Sequence, residues 1–205
     1  MSLADTSIRD LLSAFSSSDP TPGGGSASAL VSAVGASLLM MVAGLPKSRT
    51  GSEEDRTALT SASALLADIR RQLTTAIDAD TEAYDQVVRS YKLPKGTGEE
   101  RRNAAIQAGL RTATDVPLSV MRLSASALTQ GERVAAHGHQ AAASDVGVAV
   151  GLLRAGLRGA KLNVEINLGS VSDAAYVDAA RAEAGRLAEA AERAAEAATV
   201  LLGNR

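Results

Sequence analysis

Four short stretches of this chain carry groups that could bind a ligand or move a proton. At 78–84, DADTEAY sets Asp80 and Tyr84 one helical turn apart on a common face. A carboxylate beside a phenol in a cleft can accept or donate a proton once burial moves its pKa towards neutrality. Asp78 and Glu82 beside them read as ordinary exposed helical acids. Ser144-Asp145 stands where a loop gives way to an apolar helix. Either residue suits an N-cap, and a carboxylate there is kept ionised by the helix dipole, which would be useful opposite a cationic substrate. At 162–168, LNVEINL alternates like a strand, yet Asn163 and Asn167 share a face as a helix too. A pair of amides that both donate and accept is therefore expected either way, serving a ligand or a satisfied buried network. At 20–26, PTPGGGS puts three glycines ahead of an apolar helix. Such a backbone can approach another chain or a ligand closely, and its free amides could hold an anion; a tight helix entry packed on a neighbour is the alternative. No Gly-Lys-Ser/Thr follows, so it is not a Walker loop.

Other chemistries are disfavoured. There is no cysteine, which removes disulfides and thiol chemistry and is compatible with a cytoplasmic setting. His137 and His139 are the two histidines, without the helical HxxxH spacing of a zinc site, so no metal is expected. The charge is −2, from 21 basic and 23 acidic residues spread along the chain, and aromatics are 2%. Lacking a basic stripe and stacking residues, the chain is not expected to bind nucleic acid. The N-terminus has no basic start followed by an apolar run, so no signal peptide is read there. Residues 27–45 are uncharged and about as long as a membrane span, but rich in Ser, Gly and Ala; a buried core or subunit-interface helix is expected instead.

The elements that must position these groups are helices. Apolar residues make up 45% of the chain, supplied by Ala, Leu, Val and Met, the composition of closely packed helices. Helices are predicted near 7–15, from the glycines to Leu45 before Pro46, and over 53–92 as one rod or with a break. The next runs over 99–130, kinked or divided by Pro117, with 131–140 as a connector. Helices over 144–161 and 172–202 follow, with 162–169 ambiguous. The expectation is a single all-α domain over 1–205, a multihelical up-and-down bundle with long helices, forming a homodimer through small-residue faces.

Taken together, PTPGGGSASAL at 20–30, DADTEAYDQVV at 78–88, LPKGTGEERRNAAIQAGLRTATDVPL at 93–118, SDVGVAVGLL at 144–153 and GAKLNVEINLGSVSDAAY at 159–176 resemble the formiminotransferase-cyclodeaminase (methenyltetrahydrofolate cyclohydrolase) family, in order and spacing, over nearly the whole chain. The pattern departs at 45–47 and at 138–141. The resemblance implies an all-helical homodimer binding a tetrahydrofolate derivative near the dimer interface, with no cofactor beyond that substrate. It implies hydrolysis of methenyltetrahydrofolate to formyltetrahydrofolate, or the related cyclodeaminase reaction releasing ammonia; a catalytically silent folate-binding or scaffold dimer is a third possibility. On this basis Asp80 and Asp145 are the expected acid/base and cation-stabilising groups. Asn163 and Asn167 would orient the pterin beside Ser144, Gly24, Gly25 and Ser26 would form the cleft wall, Tyr84 or Met40 would stack, and Lys95 and Lys47 would meet the glutamate tail.

Overall fold

The computed structural model describes residues 2–46, 48, 51–95 and 98–203. Six α-helices account for most of them: α1 (Ile8–Phe15), α2 (Gly24–Gly44), α3 (Glu53–Tyr91), α4 (Glu99–His137), α5 (Ala143–Leu168) and α6 (Ala174–Gly203). No strand occurs among the described residues. The helices from α2 onward alternate in direction. Ser26 of α2 meets Ile77 and Asp80 of α3, Asp55 of α3 meets His137 of α4, Asn167 of α5 reaches Ala113 of α4, and Arg154 of α5 pairs with Glu192 of α6. The all-α up-and-down bundle expected from the sequence is what forms.

Local chemistry explains where the helices begin. Ser7 caps α1, and Ser52 with Asp55 forms a reciprocal capping box at α3. Gly98, at φ 118°, makes the left-handed entry into α4. Ahead of α1, Ser2 and the Leu3 N–H donate to Asp78 at 2.7 and 2.6 Å. Asp78 is thus an anchor for the N-terminal segment, not the exposed acid its sequence setting suggests.

Three sequence expectations are corrected or resolved. Helix α3 is one unbroken rod. Helix α4 passes through Pro117 undivided and continues over 131–137, where a connector was expected. Gly131 there is a packing residue: a Cβ would lie 3.4 Å from Leu39 and 3.6 Å from Val150, and Val134 and Ala135 continue the buried stripe. The ambiguous 162–169 segment belongs to α5 as far as Leu168, because Leu157, Ala160, Val164 and Leu168 are all buried at helical spacing.

The core contains no buried aromatic ring among the described residues; Ala, Leu, Val, Ile and Met fill it. Small side chains bring α2 and α5 together. A Cβ on Gly156 would fall 2.0 Å from Ser32 Oγ and 2.7 Å from the Ser28 carbonyl oxygen, and one on Gly159 2.3 Å from Ser28 Oγ. Ser124 of α4 donates to Ser32 at 2.8 Å, so the buried hydroxyl is satisfied. Helix α2 is long and apolar enough to cross a membrane by length and composition, and half of that apolar window is buried here against α3, α4 and α5. The most exposed apolar side chains lie on α1 (Ile8, Leu12), α5 (Val148, Leu162, Ile166) and α6 (Val200).

Gly156→Ala is expected to destabilise the bundle by about 1–3 kcal/mol, because backbone as well as side chain must move. Gly185→Ala, where a Cβ meets nothing within 4 Å, is expected to stabilise α6 by about 0.5–1 kcal/mol. Chemical denaturation of the two variants beside the parent checks both signs.

Candidate active site

The N-terminal turn of α2 has no side-chain cap of its own, since its N-cap is Gly23. A side chain from another helix takes that place. Asp80 of α3 accepts the Ser26 N–H at 2.8 Å, and the Ser26 hydroxyl lies 3.2 Å from the same carboxylate oxygen while donating to the Ile77 carbonyl at 2.8 Å. The approach depends on Gly25, where a Cβ would stand 1.9 Å from Asp80 Oδ1 and 2.4 Å from its Cγ. No side chain fits between them. Asp80 is half-buried, and burial pushes its carboxyl above the ordinary aspartate value of 3.8; the Ser26 hydrogen bonds pull the other way without overcoming it.

Asp80 lies in a cleft of about 260 Å³ bounded by four helices. Helix α3 contributes Asp80, Tyr84 and Val87, one face at spacings of four and three; α4 contributes Leu110 and Ala113. Asn163 and Asn167 of α5 form a further wall, and Gly23, Gly24 and Gly25 with Pro20 and Thr21 close the end. Both amides are fixed by carbonyl acceptors: Asn163 Nδ2 donates to the Gly159 oxygen at 2.9 Å and Asn167 Nδ2 to the Ala113 oxygen at 2.6 Å. A carbonyl accepts and cannot donate, so these contacts settle which end of each amide is nitrogen.

The glycine turn, Asp80, Tyr84 and the two asparagines, drawn from three distant stretches, therefore converge. Others do not. Ser26 is fully buried behind Asp80, supporting it instead of forming the wall. Asp145 and Ser144 sit in the first turn of α5, five turns and roughly 27 Å along that helix from Asn163. Within one chain they do not reach the cleft. Met40 is likewise four turns along α2 from Gly25 and packs against the core. Lys95 is exposed in the α3–α4 connection and outside the cleft lining; Lys47 lies outside the described residues. The lining residues Val87, Leu110 and Ala113 were not singled out from sequence, for apolar residues on a helical stripe look alike whether they face a core or a cleft.

The remaining polar clusters lie apart. His137 Nδ1 is 2.7 Å from Asp55 Oδ1, and this contact, with Ser52, holds the Asp55 carboxyl down at about 2. Among the described residues no group of three His, Asp or Glu side chains could hold a metal ion. Ser48 accepts the His139 N–H at 3.0 Å, a contact at the far end of α2 from the cleft.

A model of the formiminotransferase-cyclodeaminase family matches residues 7–186. The chain belongs to that family. It is 42% identical over 186 residues to a methenyltetrahydrofolate cyclohydrolase of Methylorubrum extorquens, covering 89% of each chain. It is 35% identical to the formimidoyltransferase-cyclodeaminase of Mus musculus over 84% of this chain but 32% of that one, so it spans about a third of such bifunctional relatives. The structure of formiminotetrahydrofolate cyclodeaminase from Thermotoga maritima superposes with a TM-score of 0.89 at 25% identity, covering 98% of this chain and 97% of the other.

Asp80 makes the fold's stability depend on pH. Between 3.8 and its raised native value, the native state holds a proton that the unfolded chain has lost, so its contribution to stability falls as pH rises. Asp80→Asn, which keeps an oxygen for the Ser26 N–H, is expected to raise the melting temperature at pH 7, with the gain shrinking as pH falls through the raised native value and gone below about pH 4. Thermal unfolding across pH checks this.

Proposed function

We propose that this chain is a methenyltetrahydrofolate cyclohydrolase, adding water to the one-carbon bridge of methenyltetrahydrofolate to give formyltetrahydrofolate. The observation that carries the proposal is Asp80, a carboxylate raised in pKa, facing a cleft whose opposite wall holds two oriented amides. The cleft is smaller than the ~300–1,000 Å³ typical of sites for drug-sized ligands, so it suits the fused ring system with the glutamate tail lying outside, towards the Lys95 connection.

The chemistry follows from the placement. The methenyl carbon sits between two nitrogens and shares their positive charge, and the carboxylate beside it stabilises that cation. As water attacks, Asp80 accepts one of its protons, leaving a neutral tetrahedral carbon bearing a hydroxyl and two nitrogens. Collapse breaks one carbon–nitrogen bond; the hydroxyl proton passes to the departing nitrogen and a formyl group remains on the other. The proton taken by Asp80 is the net proton released. No electrons are transferred, so the folate is the sole organic partner required. Asn163 and Asn167 hold the pterin edge, and Tyr84 covers the rim one turn from Asp80.

Cyclodeamination of formiminotetrahydrofolate uses the same cleft and a similar tetrahedral carbon, and the likeness to the Thermotoga maritima enzyme favours it as a second reading. Hydrolysis is preferred because the cyclohydrolase relative is 42% identical, against 25% for the Thermotoga maritima cyclodeaminase, and matches over 89% of each chain. Purified protein is expected to bleach the methenyl chromophore, and Asp80→Asn to slow kcat by about 10²–10⁴-fold, the scale of a lost general base. Release of ammonia from formiminotetrahydrofolate without bleaching would select the deaminase; folate binding with neither activity would select the silent dimer.

The pairing of two copies is part of this proposal. Val148, Leu162 and Ile166 lie exposed with Gly151 and Ala155 on one stripe of α5, apolar surface that a second α5 would cover. Antiparallel pairing centred near Ala155 would set Asp145 of the second copy level with Glu165, between the two asparagines along the helix, which gives Asp145 a route to the cleft. Leu162→Glu with Ile166→Glu is expected to yield monomers in sedimentation velocity.

A further inference from the structure

Helix α4 carries a proline in its interior without breaking, and the reason it lies where it does is found across the cleft. An α-helical N–H at position 117 would bond the carbonyl four residues earlier, that of Ala113. Pro117 has no N–H to give. The Ala113 oxygen instead receives the Asn167 Nδ2 at 2.6 Å, from α5. Ala113 and Asn167 both line the cleft, and Pro117 is buried one turn behind Ala113. Asn167 Oδ1 accepts no hydrogen bond from the described residues, so it is the end of the amide left for a ligand. One turn earlier on α5, Asn163 Nδ2 donates to the Gly159 carbonyl of its own helix and lies 3.5 Å from where a Cβ on Gly24 would stand.

We propose that Pro117 is a positioning residue for the bound ligand: by withholding a hydrogen-bond donor from the Ala113 carbonyl, it makes that oxygen the acceptor that turns the Asn167 amide oxygen towards the cleft. The Asn167 oxygen then offers an acceptor to a ligand edge that presents an N–H donor, such as the amino-lactam edge of a pterin. The ligand class rests on the folate reading; the link between Pro117 and Asn167 does not.

The test restores the missing donor. Pro117→Ala and Pro117→Val each supply an N–H at 117, and valine keeps most of the buried volume should the alanine variant fold poorly. Each is made with Asn167 intact and with Asn167→Ala, and KM and kcat for methenyltetrahydrofolate are measured beside the side-chain amide resonance of Asn167. The expected result is a KM raised about five- to tenfold, the scale of one neutral hydrogen bond, with a smaller change in kcat. The Asn167 resonance should shift, and restoring the donor should have no added effect once Asn167 is alanine. An equal rise in KM with and without Asn167, or an unshifted Asn167 resonance in a folded variant, would overturn the proposal. A parent protein that ignores folate while the resonance still shifts would overturn the ligand class alone and leave the Pro117–Asn167 link standing.

Discussion

The site depends on one close approach, the seating of the Asp80 carboxylate on the first turn of α2 over a residue that has no Cβ. Gly25 leaves room for the carboxylate, and the Ser26 N–H, one of the donors a helix start cannot satisfy internally, binds it. The same contact closes the open end of α2, ties it to the later half of α3 and places a proton acceptor at the edge of the cleft. Structure and chemistry share a single hydrogen-bonded pair. Two opposing influences act on Asp80. Burial favours its neutral form, the Ser26 donors favour its charged form, and burial prevails, so the carboxyl is held nearer the range in which it can exchange protons with a substrate.

Much of this was legible in the sequence because helices announce themselves. The glycine run before an apolar segment, the Asp80–Tyr84 spacing and the Asn163–Asn167 spacing each state a local face, and the bundle brings those faces together. Their meeting is a tertiary fact that spacing alone does not contain. Asp145 shows the limit. Its position at a helix start suggests a functional carboxylate, yet the position along α5 that makes it an attractive N-terminal acid is also what carries it five turns from the cleft. Pro117 and Gly131 show a second limit. Both read as breaks, and both sit inside an unbroken α4, because Gly131 admits Leu39 and the carbonyl released by Pro117 finds a donor on α5.

The bundle has two unlike ends. At one, the first turn of α2, the later halves of α3 and α5 and the first half of α4 surround the cleft. At the other, Asp55, His137 and Ser48 fasten α3, α4 and the neighbouring connections, away from the cleft of the same chain. Between them, serine and glycine on α2 and α5 let the helices approach closely enough that a core without aromatic rings can still be filled.

The most direct test of this account is a carbon-13 titration of the Asp80 side-chain carboxyl in the parent protein and in Gly25→Ala. The account predicts a parent midpoint above 3.8, and a midpoint that moves in the variant as the added methyl displaces the carboxyl from Ser26. A parent midpoint at or below 3.8, or one indifferent to the residue at position 25, would contradict it.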